Sequence, residues 1–81
     1  MTKNMLIMFT TVDDVKNFVR IMETLPYRAK VYGGERSVVI VDACSLMGIF
    51  TLDLTKPIRV EFDEDFSWEQ LEVFRQWEVN T

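Results

Sequence analysis

The sequence predicts an α+β fold in which an antiparallel sheet is covered on one face by helices. Three observations lead there. A helical stripe of apolar residues follows a short apolar run, a glycine pair separates two β-rich runs, and a strand of strict alternation precedes a capping-box motif. In chain order these give β-α-β-β-α-β-α, an arrangement that segregates helices to one side of an antiparallel sheet. With 81 residues, 48% of them hydrophobic, the chain suits a single domain over 1–81, since domains run to roughly 100 to 200 residues.

Met5-Leu6-Ile7-Met8-Phe9 is too short for a helix and reads as a strand. Thr11 can cap a helix whose first turn holds Asp13 and Asp14. Val15, Phe18, Val19, Met22 and Leu25 then recur at steps of three and four until Pro26 ends the helix. Ala29 to Tyr32 and Ser37 to Val41 flank Gly33-Gly34-Glu35-Arg36, the pattern of a hairpin. Ser45 caps a short helix from Leu46 to Phe50. Ile58, Val60 and Phe62 alternate with Arg59 and Glu61, giving a strand with one dry and one wet face. Ser67-Trp68-Glu69-Gln70 matches a capping box, and Leu71, Phe74 and Trp77 form the apolar stripe of a final helix.

Composition excludes several classes of function. One cysteine allows no disulfide within these residues. With no histidine beside it, there is no set of four nitrogen or sulfur donors for a zinc ion, and no metal or cofactor is expected. The net charge is −4, and residues 61–81 hold seven acidic side chains against one basic, Arg75. That balance opposes a nucleic-acid footprint, which needs clustered Lys and Arg. No apolar run approaches the roughly 20 residues of a membrane span, and the apolar run after Asn4 is too short for a signal peptide, so the expected location is cytoplasmic. No triad, paired acid and base, metal cluster or phosphate loop is visible, which argues against an enzyme.

The element order, together with Asp42-Ala43-Cys44-Ser45-Leu46-Met47-Gly48-Ile49-Phe50-Thr51-Leu52 after the hairpin, resembles the HPr family, the histidine phosphocarriers of the bacterial sugar phosphotransferase system. The resemblance implies an open-faced β-sandwich with strands in the order 1-4-2-3 and three helices on one face. It also implies a regulatory serine at Ser45, phosphorylated by an HPr-type serine kinase, with Leu46, Met47, Ile49 and Phe50 in a hydrophobic patch that docks protein partners. An alternative reading of that patch turns Met47 and Ile49 toward the core and leaves Leu46 and Phe50 at the surface. Where the family often has a basic residue before the serine, this chain has Cys44, read as an ordinary small residue and not as a nucleophile.

At the position of the family's phosphoryl-accepting histidine this chain has Thr11, followed by Asp13 and Asp14 where the family has an arginine and a proline. A threonine phosphoester is stable and would end a relay, and two carboxylates compete with phosphate for the helix amides. Thr11, Asp13 and Asp14 therefore read as an N-cap with dipole-compatible acids. In lacking the histidine and keeping the serine, the chain is similar to the catabolite-repression paralogue within the family, which binds a transcriptional regulator. The implied function is that of a non-catalytic regulatory or protein-binding protein switched at Ser45. The alternative is an interaction or assembly module with no phosphotransfer role. Strand edges bear on that alternative. Met5, Ile7 and Phe9 point one way and Leu6 and Met8 the other, Val38 to Val41 raise the same difficulty, and both segments are edge strands in the order 1-4-2-3. Self-association into a homo-oligomer is the expectation.

Overall fold

A computed structural model describes residues 2–34 and 38–79. Its four strands, β1 (Lys3–Ile7), β2 (Ala29–Gly33), β3 (Val39–Asp42) and β4 (Ile58–Phe62), form one antiparallel sheet in the order β1-β4-β2-β3. The helices are α1 (Val12–Thr24), α2 (Leu46–Phe50) and α3 (Trp68–Leu71), the last running into a 3₁₀ segment over Glu72–Trp77. This is the expected open-faced α+β sandwich with the expected strand order.

Register sorts the sheet into two faces. Met5 and Ile7 of β1, Ile58, Val60 and Phe62 of β4, and Ala29 and Val31 of β2 are buried in a single core with Val15, Phe18, Val19 and Met22 of α1. The opposite face carries rows of aligned residues from all four strands: Leu6, Arg59, Tyr32 and Ile40 in one, Asn4, Glu61, Lys30 and Asp42 in the next. Arg59 organises that face. Its guanidinium stacks 4.0 Å from the centroid of the Tyr32 ring, donates to Asn4 Oδ1 at 2.6 Å and lies 3.6 Å from Glu61. A sheet face networked in this way tolerates water and needs no helix over it.

Aromatic packing joins the ends of the chain to the middle. Phe18 meets Phe9 and Phe74 with ring centroids 5.3 Å apart in each case, and Phe62 meets Phe74 at 5.1 Å. The last segment follows a 3₁₀ path where the apolar stripe predicts a continuing helix. At three residues per turn, Leu71, Phe74 and Trp77 eclipse one another and all face the core, a tighter alignment than 3.6 residues per turn allows.

The first strand begins two residues earlier than the apolar run suggests and ends at Ile7. Met8 has left the ladder with β4, and its N–H donates instead to the Trp77 carbonyl at 3.0 Å, while Val79 N–H donates to the Leu6 carbonyl at 2.9 Å. With the Ile7–Glu78 bridge, these bonds cover the outer side of β1 at its Leu6–Met8 end with residues 77–79, and Leu6 and Met8 are half-buried. Both β1 and β3 are edge strands, as expected; the end of β1 is covered over Leu6–Met8, whereas among the described residues no segment pairs with the outer side of β3. In the hairpin, Gly33 and Gly34 fall as expected. A Cβ on Gly33 would come within 2.7 Å of the buried Leu52, and Gly34 has a φ of +76°. Glu35, Arg36 and Ser37, the rest of the expected turn and the expected start of β3, lie outside the described residues.

Candidate functional site

Two helix N-termini carry the residues that the sequence singles out. At α1, Thr11 Oγ1 accepts from the Asp14 N–H at 3.1 Å. Asp14 Oδ2 in return accepts from the Thr11 N–H at 3.2 Å, the Thr10 N–H at 3.0 Å and the Thr10 hydroxyl at 2.9 Å. The capping box is closed in both directions. Those bonds, the Thr10 N–H first among them, hold the Asp14 carboxyl below its ordinary pKa of 3.8, so the group is ionised at neutral pH. An anion offered to this turn would meet a carboxylate already seated on its amides. Phe9, packed against Phe18 and Trp77, fixes the entry of the chain into the cap.

At α2, Ser45 Oγ accepts from the Gly48 N–H at 3.0 Å, and the Ser45 carbonyl accepts from Ile49 N–H at 3.0 Å. Here the residue three positions on is a glycine, so no acid reaches back and the cap is closed from one side only. Gly48 belongs there for a steric reason, because a Cβ would lie 2.8 Å from Ser45 Oγ and 3.2 Å from Val41 Cβ. Asp42 leads the chain into the turn, its Oδ1 accepting from Cys44 N–H at 2.7 Å and its carbonyl from Ser45 N–H at 3.0 Å. Arg28 lies 3.8 Å from the Asp42 carboxylate, both side chains open to solvent. Cys44 is exposed, and partial burial together with the charges of Asp42 and Glu23 raises its thiol pKa. That is the opposite of an activated thiolate.

The residues after Ser45 divide between core and surface. Ile49 is fully buried at 0% exposure and anchors α2 to the core, so it is corrected from docking surface to core residue. Leu46 is half-buried against the core. Met47 is 77% exposed and Phe50 38% exposed, three positions apart and therefore on one side of the helix. The alternative reading, with Met47 and Ile49 inward and Leu46 and Phe50 outward, holds for Ile49 and Phe50, is reversed for Met47, and meets a half-buried Leu46.

Phe50 also lines a groove of about 340 Å³ between the end of α2 and the start of α1, together with Phe9, Thr10, Thr11, Val12, Val15, Leu54 and Thr55. Thr11 and Phe50 are thus brought to one groove, while Ser45 and Met47 lie outside its lining. Val12 and Leu54 are surface contributors that sequence reasoning missed. Val12 is 56% exposed as the first residue of α1, although its spacing of three from Val15 keeps it in step with the apolar stripe, so the sequence carries no signal of its exposure. No group of His, Cys, Asp or Glu suited to a metal occurs among the described residues, and none of their helices is long and apolar enough to cross a membrane. No family model, curated protein or solved structure matches the chain.

Proposed function

We propose that the chain is a non-catalytic, HPr-like regulatory protein of the cytoplasm that docks protein partners through Met47 and Phe50 and is switched by phosphorylation of Ser45. The observation that carries this reading is Met47, a large flexible apolar side chain held out in solvent one residue beyond the Ser45–Leu46 pair on a helix whose inward side is already satisfied by Ile49. Polarisable, adaptable side chains of this kind are favoured at surfaces that accept more than one partner. Phe50, Val12 and Leu54 extend the apolar character toward Thr11.

Phosphorylation would form an O–P bond at Ser45 Oγ as the γ-phosphoryl group leaves ADP and the hydroxyl proton is released. The product carries about −1.5 to −2 charges beside Met47 and close to Asp42, enough to convert an apolar docking patch into one that rejects an acidic partner and recruits a basic one. The partners consistent with this are an HPr-type serine kinase and a transcriptional regulator. The closed box of Asp14 on Thr11 supports the absence of a phosphorelay through α1.

Intact-mass analysis tests the reading. Incubation with an HPr-type serine kinase and ATP is expected to add one phosphate to the wild type and none to Ser45→Ala, while phosphoenolpyruvate with Enzyme I adds none to either. Failure of the kinase to modify the protein would overturn the switch, and phosphate arriving from phosphoenolpyruvate would overturn the account of Thr11.

A further inference from the structure

We infer that β3 is a self-association edge, along which two copies of this chain pair antiparallel about a two-fold axis at Ile40 to give one continuous eight-stranded sheet. The two outer edges of the sheet are treated differently by the sequence. That of β1 is covered at its Leu6–Met8 end by Trp77 and Val79, whereas β3 has no such cover among the described residues, and there Val38 is 71%, Val39 41% and Ile40 55% exposed. Exposed apolar edges are normally blunted by charge, proline or a covering segment. Residues 38–41 contain none of the first two, and the one charge of β3 is Asp42 at its end.

Charge selects a second copy as the occupant. In a protein of net charge −4 most surfaces repel their own image, but an isologous contact over residues 38–42 centred on Ile40 sets no charge directly against its own counterpart. Hydrogen-bond phase selects the register. Ala43 N–H donates to the Ala29 carbonyl directly across the ladder. Antiparallel alternation therefore turns the main-chain groups of Val41 and Val39 toward β2, and those of Ile40 and Val38 outward. Pairing Ile40 with Ile40 of the second copy uses the outward groups of both chains and sets Asp42 opposite Val38, never opposite its own counterpart. The row Arg59, Tyr32, Ile40 then continues across the axis, and the exposed Val39 comes level with Val41 of the other copy.

The proposal is independent of Ser45 and is tested by sedimentation equilibrium on the whole chain at up to about 1 mM, a range that registers even weak pairing. The wild type is expected to be dimeric. Ile40→Lys and Ile40→Glu, both at an exposed position that the fold does not need, are each expected to be monomeric, and an equimolar mixture of the two is expected to recover a dimer, because this register places residue 40 against residue 40. Met47→Lys is expected to leave the dimer intact. A monomeric wild type, a dimer that survives Ile40→Lys, one lost in Met47→Lys, or a mixture that stays monomeric would each overturn the proposal.

Discussion

Thr11 and Ser45 both close the first turn of a helix with a hydroxyl, yet they close it differently. The Thr11 cap is reciprocated by Asp14, which takes up three donors from Thr10 and Thr11, and it is seated on the ring cluster of Phe9, Phe18, Phe74 and Trp77. The Ser45 cap has a glycine where the reciprocating acid would stand, and the helix that it begins is five residues long and tied to the core through Ile49. A hydroxyl locked on both sides is structural. One closed from a single side, with a large apolar side chain projecting beside it, keeps a surface on which a modification can act.

The sharpest way to break this comparison is to remove what supports the first cap. Phe18 is fully buried and touches three aromatic rings, so Phe18→Ala should cost about 3–5 kcal/mol in urea denaturation, and a domain of this size has little more to give. A loss under about 1 kcal/mol would mean that the cluster does not hold α1 as described.

Gly48→Ala tests the second cap. Two effects of opposite sign compete: alanine is favoured over glycine inside a helix by about 1 kcal/mol, while a Cβ 2.8 Å from Ser45 Oγ forces that side chain aside at a cost of about 1–3 kcal/mol. The steric term should win, because Val41 Cβ at 3.2 Å blocks the other escape. A net stabilisation would show that the Ser45 hydroxyl moves freely and that its bond to Gly48 is dispensable.

The degree to which the sequence revealed all this follows from the range of the forces involved. The α1 cap, the stripe ending at Leu25, the alternation of β4 and the Ser67 capping box depend on residues within a few positions of one another, and each appears where the spacing predicts it. The cover over the end of β1 by residues 77–79 depends on main-chain bonds between segments some 70 residues apart, and main-chain bonds leave no residue signature. For the same reason the apolar run predicts Met8 within the strand that it leaves. On α2, five residues span too few turns to show a period, so the sequence leaves the faces of Met47 and Ile49 open, and packing puts Ile49 in the core.

A milder test separates the caps by pH. The folded state holds the Asp14 carboxyl below its ordinary value of 3.8, so its contribution to stability is fully present above that value and is lost as pH falls through the lower, native one. Urea midpoints of wild type and Asp14→Asn should therefore differ at neutral pH and converge in acid. Thr11→Ala, which removes a cap oxygen that does not titrate, should cost about 1 kcal/mol. Gaps that were equally wide at both ends of the pH range would mean that the Asp14 charge plays no part in the α1 cap.

The smallest expected effect on folding is the one that bears most on function. Met47 is 77% exposed, so Met47→Lys should leave stability within about 0.5 kcal/mol of wild type. If Met47 is a docking anchor, the same substitution should lower kcat/KM for Ser45 phosphorylation by the kinase about tenfold or more, the scale of a truncated interface hot spot, since the kinase must seat this helix to reach the serine. The pairing of the two measurements is what discriminates. A stability loss above about 1 kcal/mol would make Met47 a packing residue, and unchanged kinetics with unchanged stability would make its exposure one of the solitary apolar exposures that any small protein carries. Only intact folding with impaired phosphorylation assigns the surface beside Ser45 to a partner, and with it the difference between the two caps.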